Sequence, residues 1–396
     1  MEHEKNPFVV SGKIQPEYFC DRVSESRHLV KSLLNGNHLV LISPRRMGKT
    51  GLIRFCYEKP ELRDNYNTFF IDILHTTSLR EFTYLFGRQI YETLLPRSKK
   101  MLLAFVQTMK SLSAQFGFDP VTNMPTFNLE LGDITHPELT LEEIFTYLEK
   151  TDIPSIIAFD EFQQVANYPE KNIEALLRTH IQHLSNAQFI FAGSEYHIMQ
   201  EMFLSAKQPF YNSADTLELK AIDLEEYTRF VVHHMANAER TISASDIHKV
   251  YHLFRGNTYA MQKTMNEVFT LVGKGDTIDT TDLVQAINNV IDSKEALFRE
   301  QLSNIPDKYK PVLYAIAQEG EVSQPTSSRF IRGHKLPSAS ASQYAVRQLL
   351  ESGIITRLAG RYSLNEHFFC LWINRLYGKQ TLAQMLESVH DIGPES

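Results

Sequence analysis

Two short clusters hold the residue types that handle phosphate. The first is Ser43-Pro44-Arg45-Arg46-Met47-Gly48-Lys49-Thr50, which follows the apolar run 38–43 and opens a helical stretch with Gly51. It meets seven of the eight positions of the phosphate-loop pattern G-x-x-x-x-G-K-[ST], with Ser43 in place of the first glycine. Glycine at 48 lets backbone N–H groups crowd around an anion. Lys49 brings a point charge to β- and γ-phosphates, and Thr50 offers a hydroxyl to Mg²⁺. The helix that follows aims its positive end at the anion. The second cluster lies about 110 residues on, where the apolar run Ile156-Ile-Ala-Phe159 ends in Asp160-Glu161. An aspartate at a strand's carboxyl end can hold Mg²⁺, directly or through water. The adjacent glutamate can orient and deprotonate a water. A Gly-Lys-Thr arises by chance, and exposed Asp-Glu pairs at strand ends are common. Together, after two strands, they point to a nucleoside-triphosphate site.

Other constellations carry less. His180 and His183 lie three apart and His248 and His252 four apart, spacings that can bind a metal. With 15 histidines in the chain such pairs also arise without function. Gly193-Ser194-Glu195 lacks the flanking glycines of a nucleophile elbow. Asp72, ending an apolar run, could support a Mg²⁺ shell or cap a loop.

These clusters must be held by a scaffold, and the pattern of the chain supplies one. Up to about residue 220, apolar runs at 38–43, 68–73, 155–159, 188–192 and 216–219 alternate with helical stretches such as 79–95 and 139–149. Nearly continuous apolar strands are covered on both faces, and strand–helix alternation predicts an α/β domain with a largely parallel sheet flanked by helices. From about Asp223 to Phe298 the strands stop; Asp223, Ser243 and Thr281-Asp282 read as helix starts. From about Leu302 comes helix, polar loop, helix and a hairpin, 353–357 and 361–364, turning at 358–360. The expected domains are 1–220, an all-helical 221–300, 301–378, and a polar tail 379–396.

Composition sets the bounds. The chain has 396 residues, 43% hydrophobic and 22% charged, with 40 basic against 47 acidic side chains, net −7. That argues against a general nucleic-acid coat but leaves local patches open. Cys20, Cys56 and Cys370 form no CxxC pair, and a sparse, odd set suits a reducing cytoplasm. The polar start, Met1-Glu-His-Glu-Lys-Asn-Pro7, lacks the basic and apolar regions of a signal peptide. The apolar runs are too short to span a bilayer, so no membrane partner is expected.

The chain resembles the archaeal-type ATPase family of the AAA+/STAND group of P-loop NTPases, especially its Bacteroidetes-like members. The resemblance covers nearly the whole chain. It rests on Phe19-Cys-Asp-Arg22, residues 44–50, Phe69-Phe-Ile-Asp72, Ala158-Phe-Asp-Glu-Phe-Gln163, Phe191-Ala-Gly-Ser-Glu195 and a C-terminal winged-helix pattern. It implies ATP and Mg²⁺ as cofactors and five core strands, with the strand at 188–192 between those bearing Lys49 and Asp160. It implies that Ser194 senses the γ-phosphate or attacking water, that residues 19–22 with Arg22 lie near base or ribose, and that 223–298 is a lid. Relatives carry an arginine where this chain has Ser213, and Gly-Asn-Pro where it has Gly256-Asn257-Thr258. The missing arginine implies slow hydrolysis, with a cation supplied by Lys207 or Arg178, or in trans by a protein partner or second copy. A nucleotide switch that barely hydrolyses is the rival reading.

The C-terminal unit offers a third reading, a DNA-binding regulator tuned by ATP. Residues 302–380 hold ten basic and five acidic side chains, +5 in a chain of −7. Arg329, Arg332, Lys335, Arg347, Arg357 and Arg361 could reach phosphates. Winged helices also serve as protein contacts, and the recognition-helix candidate 343–351 has one arginine among several apolar residues.

Overall fold

The computed structural model describes residues 5–12, 14–20, 22–120, 125–127, 129–358 and 360–388. They form two compact units, one within 22–220 and a second outside that range. The second unit thus takes in the described residues before 21 as well as those from 221 to 388.

In the first unit the elements are α1 (Val23–Leu34), β1 (Leu39–Ile42), α2 (Lys49–Tyr57), α3 (Pro60–Arg63), β2 (Asn67–Asp72), α4 (Leu79–Leu94) and α5 (Lys99–Thr108). They continue with β3 (Phe116–Phe118), β4 (Pro125–Phe127), α6 (Pro137–Lys150), β5 (Ser155–Asp160), α7 (Ile173–Gln182), β6 (Ala187–Gly193), α8 (Tyr196–Leu204) and β7 (Asp215–Glu218). Five strands pair in parallel in the order β2-β5-β6-β1-β7. β6 thus separates β1 from β5. Every residue of β1 and β5 is buried, as both-face coverage requires. Phenylalanines dominate one face: Phe159 and Phe189 stack at 6.1 Å, and Phe162 meets Phe191 at 4.7 Å. Ser78 caps α4 by accepting from the Glu81 amide. The short antiparallel hairpin β3–β4 was not expected from the sequence.

The second unit contains α9 (Leu224–Asn237), β8 (Thr241–Ile242), α10 (Ala244–Leu253), α11 (Thr258–Leu271), β9 (Thr277–Ile278), α12 (Thr280–Ser293) and α13 (Glu295–Ser303). It ends with α14 (Lys310–Glu319), α15 (Ser328–Gly333), α16 (Ala339–Glu351), β10 (Ile355–Leu358), β11 (Arg361–Leu364), α17 (His367–Tyr377) and α18 (Leu382–Ser388). Asp223 and Ser243 cap α9 and α10. The helix expected to start at Thr281-Asp282 is α12 and begins earlier: Asp279 is its cap and forms a reciprocal box with Asp282. The segment 221–300 is helical apart from the two-residue parallel pair β8–β9.

One hydrophobic core runs from Ile222 to Leu386, so residue 300 is no break in packing. Phe298 on α13 lies 5.5 Å from Phe369 and 6.0 Å from Trp372 on α17. The amino-terminal segment joins this core through Phe8, fully buried against Phe230 and Phe269. Asn6 Nδ2 donates to the Asn266 carbonyl at 2.9 Å, and Asn266 Nδ2 donates to the Phe8 carbonyl at 2.8 Å.

The expected polar tail 379–396 is corrected in part. Residues 382–388 are helical and Leu386 is fully buried, because Leu382, Met385 and Leu386 pack on the shared core; residues 389–396 lie outside the described ones. Leu386→Ala is therefore expected to lower the unit's unfolding free energy by about 2–5 kcal/mol in a urea titration. A change within error would show that α18 is not part of the core.

Candidate functional site

The parallel sheet brings the two phosphate-handling clusters to one edge. β1 ends at Ile42, opposite Gly193 of β6, and the Ser43 amide donates to the Gly193 carbonyl at 3.3 Å. β5 ends at Asp160, opposite Asp72 of β2. The loops after β1, β5 and β6 therefore share the carboxyl edge, where open α/β sheets bind ligands.

The loop from Ser43 to Gly48 is shaped by its backbone. Arg46 and Gly48 have φ of 66° and 93°. A Cβ at 48 would meet no protein atom within 4 Å, so the left-handed backbone, not crowding by protein, calls for glycine there. Gly48 caps α2, leaving the first helical amides to face the loop. Ser43 and Met47 are buried, Pro44 and Gly51 half-buried, and Arg45 and Arg46 exposed. Arg45 stands 4.0 Å from Glu195, an exposed pair of little energetic weight.

Lys49 is only 5% exposed and donates to the Ser43 carbonyl at 3.3 Å. Burial pushes its pKa down, the Glu161 and Asp160 carboxylates oppose that, and Arg45 adds to it. Thr50 Oγ1 donates to Asp160 Oδ2 at 2.6 Å, and the Glu161 amide donates to Oδ1 at 3.1 Å. Asp160 is also 5% exposed, and burial raises its pKa despite Thr50 and Lys49. Glu161 takes a left-handed backbone, φ 58°, where the strand stops and the turn Phe162–Asn167 begins. Such strain gathers at functional sites. Ser194 Oγ donates to Glu161 Oε2 at 2.6 Å.

Thr50 and Asp160 present hard oxygens side by side, the donors Mg²⁺ takes. Among the described residues no group of three or more His, Cys, Asp or Glu could hold a metal. A cation here would complete its shell from waters and phosphate oxygens, as Mg²⁺ does.

Other expected residues fall differently. The Arg22 guanidinium donates to the Met47 carbonyl at 3.3 Å and pairs with Glu25 at 2.8 Å, so it braces the phosphate loop. Phe19 and Cys20 belong to the other unit. Asp72 accepts from the Leu74 amide at 2.9 Å, capping the loop, yet stands near enough for its charge to act on Asp160. Ser213 closes a turn on the Phe210 carbonyl at 2.7 Å. Arg178 acts on His38, which precedes β1 and whose Nδ1 accepts from the Phe189 amide. Arg178 lies on α7, and its charge is not among those acting on Lys49. Lys207 is exposed. His180 stacks on Phe145 at 4.9 Å. Sequence reasoning missed Gln163 as a site residue: it is 1% exposed and donates to Glu161 Oε2 at 2.6 Å.

A β1–loop–α2 turn beside carboxylates at the end of a strand two places away is the arrangement of a P-loop ATPase fold. The chain belongs to the family described as an ATPase domain predominantly from Archaea, which matches residues 19–264. Residues 296–375 match a probable winged helix domain. No curated protein matches. Among solved structures the chain is similar to the Walker-type ATPase PABY2304 of Pyrococcus abyssi, at 19% identity and TM-score 0.62, over 93% of this chain and 99% of that one. It is similar to the ORC2 protein of Aeropyrum pernix, solved as ADPNP–ADP complexes, at 12% identity and TM-score 0.56 over 98% of both chains. The ORC1 protein of the same organism, solved with DNA, aligns at 12% identity and TM-score 0.52 over 94% of this chain and 96% of that one. At these identities the likeness is one of fold. Among the described residues no helix is long and apolar enough to cross a membrane.

Because burial raises the Asp160 pKa, the folded chain binds this proton more tightly than the unfolded one. Stability is then lost as pH rises from the ordinary carboxylate value through the raised one. Asp160→Asn removes the buried charge and keeps an acceptor for Thr50, at the loss of the bond from the Glu161 amide. The nucleotide-free variant is expected to melt higher than wild type at pH 7 by calorimetry; a lower midpoint would contradict this account of the charge.

Proposed function

We propose that the chain binds ATP on residues 43–51 and hydrolyses it, with Thr50 and Asp160 holding Mg²⁺ and Glu161 as general base. The carrying observation is the convergence of buried Lys49, the Thr50–Asp160 bond at 2.6 Å and the Glu161–Ser194 bond at 2.6 Å on one sheet edge. Lys49 and the loop amides neutralise phosphate charge and fix the nucleotide's place. Mg²⁺, when bound, adds charge neutralisation on the phosphate oxygens. Glu161 takes the proton of the attacking water. Ser194, bonded to that carboxylate, holds it at the tip of β6. Arg22 acts through the loop carbonyl it braces. The nucleotide complexes of the Aeropyrum ORC2 protein support ATP as ligand.

With Ser213 closing a turn and Arg178 acting at His38, neither supplies a cationic finger, worth about 10³–10⁵ in rate. Turnover by the isolated chain is therefore slow, and a partner or second copy completes the site. Glu161→Gln is expected to keep ATP affinity within about twofold and cut single-turnover hydrolysis about 10²–10⁴-fold. Wild-type turnover in that variant would remove Glu161 as the base.

A second reading, DNA contact through the winged helix, is favoured by the placement of its basic side chains. Arg329, Arg332, Lys335 and Arg357 are exposed with no ion-pair partner among the described residues, whereas Arg347 pairs with Glu351 at 2.8 Å and Arg361 with Glu321 at 3.4 Å. The Aeropyrum ORC1 protein, solved with DNA, lends support. Four phosphate contacts give a log–log salt slope of about −3 to −4, and Lys335→Ala should reduce it by about 1. No retardation of any duplex at low salt would remove this reading.

A further inference from the structure

The Glu161 carboxylate is held through one oxygen. Gln163 Nε2 and Ser194 Oγ both donate to Oε2, each at 2.6 Å, and neither bond uses Oε1. Gln163 lies two residues beyond Glu161 in the turn Phe162–Asn167, between buried Phe162 and Val165. It is 1% exposed, and its own Oε1 is buried with no hydrogen-bond partner among the described residues. Exchanging the amide's N and O would set two acceptors 2.6 Å apart, so the amide orientation follows from the carboxylate. A buried amide with an unmet acceptor serves stability less well than an apolar side chain of its size. What this one contributes is its donor. The strand next to it is shaped to admit it: a Cβ at Gly193 would come 2.8 Å from Gln163 Oε1 and would collide with Met199.

We propose that Gln163 is a positioning residue for hydrolysis: with Ser194 it occupies Glu161 Oε2, fixing the carboxylate so that Oε1 receives the proton of the attacking water. The inference rests on Glu161 being the base. Gln163 acts on the orientation of that base and not on nucleotide binding, so its loss separates kcat from affinity.

Gln163→Met keeps length and volume and removes the donor. Its single-turnover rate is expected to fall about 10–100-fold, the scale of a misplaced reacting group. ATP affinity by calorimetry should stay within about twofold of wild type, and in a Glu161→Gln background the same substitution should change the residual rate less than about twofold. If the methionine variant does not fold, Gln163→Asn, which keeps an amide but loses reach, carries the same expectation. A rate in the folded variant within twofold of wild type, or an equal fall in the Glu161→Gln background, would overturn the proposal. Wild-type turnover in Glu161→Gln alone would remove the base and the proposal with it. A dead Glu161→Gln beside a fully active Gln163→Met would remove only the positioning role.

Discussion

Parallel pairing of β5, β6 and β1 is the constraint on which the site depends. Parallel strands end on the same edge, so Asp160, Gly193 and Ile42 terminate side by side although about 30 to 150 residues separate them in sequence. The loops that follow inherit that proximity. Ser43 bonds back to Gly193, Thr50 reaches Asp160, and Ser194 reaches Glu161. An antiparallel β6 would send Ser194 to the opposite edge and leave Glu161 with Gln163 alone. The buried faces of β1 and β5 enforce the arrangement, since a one-residue slip would turn each strand's side chains to the opposite face.

The same edge concentrates charge that the fold would not keep for stability. Lys49 and Asp160 are both nearly inaccessible, and burial shifts both toward their neutral forms. Each partly compensates the other. A ligand that is itself anionic and carries a divalent cation satisfies both at once, so binding recovers part of what burial costs. Strain points the same way: Arg22, Arg46 and Glu161 all adopt left-handed backbone without being glycine. Arg22 and Arg46 flank or belong to the phosphate loop, and Glu161 follows the metal-binding candidate directly.

Local pattern made much of this legible. The phosphate loop reads from eight consecutive residues, and the strands read from apolar runs that need no knowledge of their neighbours. The place of β6 between β1 and β5 came through family resemblance, since no spacing encodes strand order. What escaped the sequence depends on distant partners. Phe8 is one aromatic in a short segment, and its burial against Phe230 and Phe269 depends on residues more than 200 positions away. Leu386 sits in a short polar-looking helix whose apolar side matters only because the core built by α10 and α12 is there to receive it. Arg22 was expected at base or ribose, yet its guanidinium meets a backbone carbonyl, a contact no side-chain pattern announces. Gln163 was quoted as part of a motif, but its hydrogen bond depends on the left-handed turn at Glu161.

The central claim is that the loop at 43–51 is a nucleotide cradle whose main side-chain charge is Lys49. Calorimetric titration of ATP with Mg²⁺ into wild type and Lys49→Ala tests it most directly. A hydrogen bond to a charged group contributes about 1.5–3 kcal/mol, so the variant is expected to bind about 10–150-fold more weakly. Equal affinity in the two proteins would contradict the assignment of this loop as the phosphate site.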